Sequence, residues 1–445
     1  MELEKRLGLG GSRDVFIPRE GVDMEKWCCI AADQHTSEPE YWAQAEQFVG
    51  ECPSTLKLIV PEAYLGEDEE QHVRRVKGTH EAMRKYVEDG VLRTVRWPLF
   101  VDRYVLEKHR LGVVVALDLE CYDFRAGTST LARPTEGTIV ERLPARMEVR
   151  REAIFEMPHI LLLIDDPENT VVEPVAKYVR ESGAKPVYST DLMLGGGHIE
   201  GFEVDQKGEE MMFKALDALL DPELQVKRYG PNARENPLLY AMGDGNHSLA
   251  SAKMVWEELK AKGADPATHP ARYALVEINN IHEESLVFEP IHRVFDGEDI
   301  AKFYGLLEAK FPGMVSFEEM TKEDMLAHVQ KHGNAKPFKM GYVSKEKTGV
   351  LCIRSDADAT LVLSVLQPAL DEIVRENKIN IDYIHDDDVT CSMGLEEGRV
   401  AILLPTMVKS DLFIEVVQSA VVPRKTFSMG HACEKRYYLE LRKIQ

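Results

Sequence analysis

The sequence predicts an α/β (α+β) fold, with a mixed-sheet core and a smaller inserted α/β subdomain. Short apolar runs of strand length recur along the chain, among them Ile160-Leu161-Leu162-Leu163-Ile164 and Tyr273-Ala274-Leu275-Val276-Glu277-Ile278. Between them lie stretches whose apolar residues fall on one side at helical spacing, such as Leu249, Ala252, Val255, Trp256 and Leu259. The 445 residues are also enough for two or three domains with a large core. We expect residues 1–295 to form a main α/β domain, 296–365 the smaller insertion, and 366–445 a segment returning to the main domain. The boundary is placed at Asp296-Gly297-Glu298-Asp299, a polar break with turn chemistry.

Composition narrows the function. The chain is 44% hydrophobic and 29% charged, as in ordinary soluble proteins, and its net charge is −22. That charge argues against nucleic-acid or anionic-membrane partners, which need a positive field. An anionic small molecule in one locally basic pocket remains compatible with it. Seven cysteines, an odd count spread along the chain with no C-x-x-C pair, indicate reduced thiols and a cytoplasmic protein. The start Met1-Glu2-Leu3-Glu4-Lys5-Arg6 lacks the apolar core of a signal peptide, and no apolar run is long enough to span a bilayer. The oligomeric state is not legible.

In chain order, 26–32 reads as a buried strand, 33–37 as a polar turn, and Ser37 as the N-cap of a helix opening at Glu38-Pro39. A strand at 56–60 and a charged helix from about 69 to 89 follow. β-type runs cover 92–104 and 111–119. Arg142, Arg146 and Arg150 are spaced by four, so on a helix they share one face. That face either grips phosphate or forms salt bridges with Glu141, Glu148 and Glu152. A strand at 159–164, a helix near 174–182 and a strand at 186–188 come next. Leu194-Gly195-Gly196-Gly197-His198 has strand-like flanks and is read as a hairpin, not a phosphate loop. A helix at 211–220 leads to the central stretch.

That stretch is Met242-Gly243-Asp244-Gly245-Asn246-His247-Ser248, entered by a short strand at 237–242 and left by a helix ending near Gly263. Glycine permits positive φ and close backbone approach, and Asn246 or Ser248 is placed to cap the helix. A helix start suits a phosphate or carboxylate, with Asp244 and His247 beside it as an acid/base or metal-binding pair. The same residues also make an ordinary strand-to-helix turn. Gly243-x-Gly245-x-x-Ser248 only partly matches the dinucleotide fingerprint, lacks its third glycine and lies far from the first strand–helix unit, so NAD is not indicated. Nor is haem or zinc. Beyond it, a strand at 273–280 leads to Pro290-Ile291-His292-Arg293, where a His-Arg pair could stabilise a transferring phosphoryl group or simply close a strand end. From 300 to 365 the pattern is helix, loop, helix and paired strands at 338–343 and 349–354. A helix from 366, a strand at 381–384, another helix and a strand at 400–404 complete the pattern. The acids Asp356, Asp358, Asp386, Asp387 and Asp388 are read as solvated turns.

Five stretches taken together resemble the family called domain of unknown function 1015. Tyr240 to Ala250 resembles its D-G-H-H-R signature, and Arg133-Pro134-Thr135-Glu136-Gly137-Thr138, followed by Arg142 and Arg146, its R-x-H-E-x-T segment. Pro290-Ile291-His292-Arg293 resembles P-x-H-R, Pro423-Arg424-Lys425-Thr426 resembles P-x-K-S-T, and Asp33-Gln34-His35-Thr36-Ser37 an amino-terminal segment of a subgroup. The signature is similar to the phosphate loop of ParB/sulfiredoxin-like domains, which include nucleotide hydrolases and free-serine kinases. The chain departs from the pattern at Asn246, Ser248 and Thr135, which stand where two histidines and an arginine are usual.

The resemblance implies an uncharacterised-family enzyme that binds phosphate or a nucleotide, a small-molecule phosphotransferase (free-serine-kinase-like) or a nucleotide hydrolase. Catalytic candidates are Glu136, Asp244 and His247. Arg142, Arg146, Gly243, Gly245, Asn246, Ser248, His292, Arg293, Lys425 and Thr426 are candidates for holding the ligand. Asp244 and Glu136 would hold Mg²⁺, and ATP or ADP is the nucleotide implied. Asp33, Gln34 and Thr36 join as site-lining candidates. The alternative is a non-catalytic regulatory module that binds a nucleotide or metabolite, favoured by the three departures. Nucleic acid and membrane are not expected as partners.

Overall fold

A computed structural model describes residues 2–445 except 65, 126, 158–159, 298, 357–358, 420 and 431. His159, the expected start of one strand, and Asp358 lie outside the described residues. The fold is mixed α/β, and its contacts divide it into two compact units. The first comprises Met1–Leu286, Val416–Val421 and His431–Gln445; the second comprises Val287–Glu415 and Val422–Gly430.

An eight-stranded sheet organises the first unit. Its order is Ala132–Arg133, Tyr240–Asp244, Leu161–Ile164, Tyr273–Asn280, Lys108–Asp118, Leu99–Val105, His198–Glu203 and Tyr188–Asp191. Tyr273–Asn280 runs parallel to Leu161–Ile164 and antiparallel to Lys108–Asp118, so the sheet is mixed. Every residue of Leu161–Ile164 is buried, as expected of an uninterrupted apolar strand covered on both faces. The hairpin reading of 194–198 holds: Tyr188–Asp191 and His198–Glu203 pair antiparallel around a short turn at Met193–Gly195.

Several local expectations are corrected. Residues 26–32 form a helix, Met24–Trp27, capped by Asp23, and then a two-residue strand, Cys29–Ile30. Residues 55–58 form a 3₁₀ turn capped by Ser54, although Leu56 and Leu58 are buried as a strand's side chains would be. The side-chain oxygen of Ser54 takes the Leu56 N–H and favours the turn. Ser37 is not a cap; helix Pro39–Val49 begins after Glu38, with no side-chain capping bond. The 92–104 run breaks at Trp97-Pro98 into Leu92–Arg96, which pairs with Asp14–Pro18, and Leu99–Val105 in the main sheet. The helix expected at 211–220 starts at Gln206, where Asp205 caps it.

The end of the chain closes this unit. Tyr437–Tyr438 pairs with Cys29–Ile30, and Arg442–Lys443 with Phe155–Glu156. The buried Arg442 Nε lies 2.7 Å from Glu156 Oε1, whose other oxygen accepts from Arg150 at 2.6 Å. Arg150 is thus a structural anchor, although its partner is the buried Glu156 and not the Glu141, Glu148 or Glu152 expected of a salt-bridged surface.

The second unit is an antiparallel six-stranded sheet ordered Val315–Glu319, Thr348–Ile353, Phe338–Ser344, Arg399–Leu403, His292–Asp296 and Asn380–Ile384. Helices Ile300–Lys310 and Val362–Asn377 bury Phe303, Leu307, Leu366 and Leu370 in its core. This unit extends to both sides of the expected 296–365 span, because strands on either side pair with strands inside it. The edge strand Val315–Glu319 escaped the sequence reading, being largely polar and exposed. Among the described residues, no helix is long and apolar enough to cross a membrane.

Candidate functional site

The central stretch lies where strand Tyr240–Asp244 gives way to helix Asn246–Ala261. The register with Leu161–Ile164 slips between Met242, opposite Leu162, and Asp244, opposite Leu161, leaving Gly243 as an extra residue. Such a bulge re-aims the side chain that follows. Asp244 Oδ1 accepts the Gly245 N–H at 2.8 Å, and Oδ2 lies 3.2 Å from Lys435 Nζ.

Gly245 is the N-cap, at φ 82° and ψ 24°. A Cβ there would stand 3.0 Å from Ile160 Cγ1 and 3.1 Å from Ile160 Cα, so glycine is required by conformation and by space. This corrects the expectation that Asn246 or Ser248 caps the helix. The helix already starts at Asn246, and the cap has no side chain to offer its first-turn N–H groups.

Around this turn the structure gathers residues from four other segments of the first unit. Thr135 Oγ1 donates to Met242 O at 2.8 Å, which sets the half-buried Glu136 next to the loop strand. The buried Arg133 donates to the carbonyls of Thr130, Asn236 and Pro237 and serves to fasten the edge. Helix Leu143–Arg151 packs Leu143 and Met147 against Ala250 and Val255 of the loop helix. This contact brings the arginine face to the loop. Arg142 is exposed, while Arg146 is bonded to Glu62 Oε1 and donates to Arg142 O at 2.8 Å. The Glu62 N–H in turn donates to Ala32 O at 2.8 Å, tying it beside Asp33. Gln34 donates to Asp33 Oδ1 at 3.0 Å, and Thr36 is exposed.

His247 is pushed down to about 4 by burial and by Arg146 and Arg142, with Asp33 opposing. It is therefore neutral near pH 7, and its Nε2 accepts the Ile139 N–H at 3.4 Å. A neutral imidazole accepts protons rather than supplying them. Beside these groups lies a cavity of about 160 Å³ lined by Asp33, Glu62, Arg146, Ser248 and Ser251, with a mostly apolar wall. Asp33, Glu136, Arg142, Arg146 and residues 243–248 thus share one region. Among the described residues, no group of three or more His, Cys, Asp or Glu side chains is arranged to hold a metal.

Four candidates lie in the second unit. His292 is buried; its Nδ1 accepts the Leu404 N–H at 3.0 Å, so the Nε2–H points to Asp387 Oδ1 at 2.6 Å. This bond holds the Asp387 carboxyl below the usual range. Arg293 is 0% exposed, and its guanidinium donates to Gln367 Oε1, Ile291 O and Arg424 O. Lys425 is exposed at φ 58°, in a turn where Thr426 Oγ1 donates to Pro423 O at 2.6 Å. The P-x-H-R and P-R-K-T stretches therefore meet, but as an anchored turn. Four of the five guanidinium N–H groups of Arg293 are thus engaged within this unit, and the side chain is buried.

Glu62 and Lys435 were missed. Glu62 follows an apolar run in ordinary turn sequence, and Lys435 is the middle of Glu434-Lys435-Arg436 with no spacing to mark it. Both reach the site through tertiary contacts alone.

Fold and site thus define a mixed α/β protein with a glycine-capped helix start facing arginines and carboxylates. The chain belongs to the family described as Protein of unknown function (DUF1015), whose family model matches residues 16–373. A comparison with curated proteins finds no match. Among solved structures, a conserved hypothetical protein from Pyrococcus furiosus is similar at 13% identity and TM-score 0.35, over 75% of this chain and 95% of that one. A free serine kinase in complex with AMP is similar at 14% identity and TM-score 0.35, over 75% and 91%. SbnI with C-terminal truncation, from Staphylococcus aureus, is similar at 11% identity and TM-score 0.35, over 71% and 82%.

Proposed function

We propose that the first unit binds a nucleotide by its phosphates and transfers a phosphoryl group to a small hydroxylated molecule, or to water. The observation carrying this reading is the convergence on an N-terminal helix turn, capped by Gly245, of Arg142 and Arg146, which act on His247, with Asp244 in the turn and Glu136 beside Thr135, which bonds to Met242 O. Helix N–H groups and arginines suit phosphate oxygens, and positive charge there offsets what develops in the transition state. In transfer, the bond from phosphorus to its leaving oxygen breaks as one to the acceptor oxygen forms, and Asp244 or Glu136 takes the acceptor's proton. The neutral His247 is a second proton acceptor. Mg²⁺ would arrive on the nucleotide's phosphates and need only one or two protein carboxylates, for which Asp244 and Glu136 are suited.

A second reading, a non-catalytic nucleotide- or metabolite-binding module, is favoured by the pairing of Asp244 with Lys435 and of Arg146 with Glu62, which neutralises charges that catalysis would use. The test is incubation of purified protein with ATP or ADP, Mg²⁺ and a pool of amino acids and sugars, reading nucleotide loss and new phosphorylated masses. The proposal expects a product that Asp244→Asn abolishes. Ligand-raised melting temperature without nucleotide loss or product would replace it with the binding module.

A further inference from the structure

The loop from Tyr240 to Ala252 contains no lysine or arginine, and Arg146 is engaged by Glu62. The loop's own carboxylate pairs with a cation from far along the chain: Lys435, at 3.2 Å from Asp244 Oδ2. Its placement is built. Arg103, almost fully buried, directs its guanidinium donors only to carbonyls: Gly196 O at 2.9 Å, Cys433 O at 2.5 Å, Glu434 O at 3.0 Å and Lys435 O at 2.5 Å. That clamp fixes the backbone of 433–435 to the glycine hairpin. The next residue, Arg436, is buried between Glu277, at 2.5 Å, and Glu440, at 2.8 Å. Lys435 is therefore held at its backbone from both sides, while its stem of four rotatable bonds stays able to turn. The Lys435 and Asp244 side chains are 16% and 19% exposed, so the pair is largely desolvated yet not sealed, and desolvation offsets part of its Coulombic gain.

We propose that Lys435 is the phosphate-binding cation of this loop, and that it exchanges the Asp244 carboxylate for a phosphate oxygen of the ligand. The ligand class is a di- or polyphosphate ester. The exchange frees an Asp244 oxygen, in the same event, for a proton or for the metal on the phosphates. Arg103 is a positioning residue for this lysine. The inference rests on the proposed function of the site but makes a separate claim about one side chain.

The test is titration calorimetry of the full chain with pyrophosphate and with ADP, without Mg²⁺, for the wild type, Lys435→Met, Lys435→Arg, Asp244→Asn and the Asp244→Asn/Lys435→Met double variant. Lys435→Met is expected to weaken pyrophosphate binding by about tenfold or more, and Lys435→Arg to retain most of it. Asp244→Asn, which removes the competitor, is expected to bind more tightly than the wild type, and the double variant to lose that gain. The double variant also covers misfolding of Lys435→Met, since it leaves no unpaired carboxylate. Wild-type binding that Lys435→Met leaves unchanged overturns the assignment of the lysine alone. Asp244→Asn binding no tighter than wild type overturns the exchange. No pyrophosphate or ADP binding by the wild type removes the proposed function, and this inference with it.

Discussion

The two units each collect signature stretches of the chain, and they treat them differently. In the first, Asp33, Arg146 and Ser248 line a cavity, and these side chains, like those of Glu136, Asp244 and His247, are half-buried. In the second, His292 and Arg293 are sealed in the sheet, with Asp387, Leu404, Gln367 and carbonyls as their partners. Polar groups that are buried and saturated hold a fold together, whereas groups that reach a cavity are available to a ligand. Motifs that look equally chemical in sequence thus separate by burial and hydrogen bonding.

The largest effect that could break this contrast is in the second unit. Arg293→Leu should cost about 3–5 kcal/mol, because it strands the Gln367 oxygen and buried carbonyls, while the protein that remains folded keeps its pyrophosphate affinity. Urea unfolding with parallel calorimetry checks both; a stable variant that no longer binds would move Arg293 into the ligand site. Next, Gly245→Ala should lose about 1–3 kcal/mol in the same unfolding assay, together with the anion site. Its φ of 82° is costly for alanine, and the new methyl meets Ile160.

A smaller effect follows from His247. Its value is lowered from 6.5 to about 4, so the unfolded chain takes up the proton first as the solution is acidified. Stability is unaffected above about pH 6.5, falls between there and pH 4, and levels off below. Allowing for solvent screening, the loss is about 1–2 kcal/mol, and unfolding of His247→Ala across this range should lack that component. Smallest of all, the exposed Arg142→Gln should leave stability within about 0.5 kcal/mol and weaken pyrophosphate by about threefold at low salt. If salt did not erase that difference, Arg142 would be a direct ligand rather than part of the field.

The sequence disclosed most where one segment decides its own fate. Strand Tyr273–Asn280 has the bounds its apolar run predicts, and the alternation of runs with amphipathic helices is enough for a mixed α/β fold. Residues 55–58 misled because burial of Leu56 and Leu58 does not distinguish a strand from a tight turn, and only the Ser54 hydroxyl decides. The site was legible where its residues cluster around glycine, at 243–248, and where spacing by four marks a helix face, at 142 and 146. Lys435 was not, since its contact with Asp244 spans most of the chain and depends on a clamp by Arg103 that no local pattern announces. The unit boundary was missed for a similar reason: Asn380–Ile384 and Arg399–Leu403 pair with His292–Asp296, a choice made by partners rather than by composition.

The closing of the first unit by residues 431–445 also sets an order in time. A ribosome delivers the strand Cys29–Ile30 and the Glu156 carboxylate early, and their partners Tyr437–Tyr438 and Arg442 only after all of Val287–Glu415 has emerged. Until then the nascent chain carries a strand edge without its mate and a carboxylate without its final guanidinium, both of which favour a loose first unit. Most of the second unit can be complete by that stage. A translation arrest that holds Val422–Gln445 back from emerging would therefore leave a largely finished insertion and an unfinished host, in which Lys435 has not yet reached Asp244.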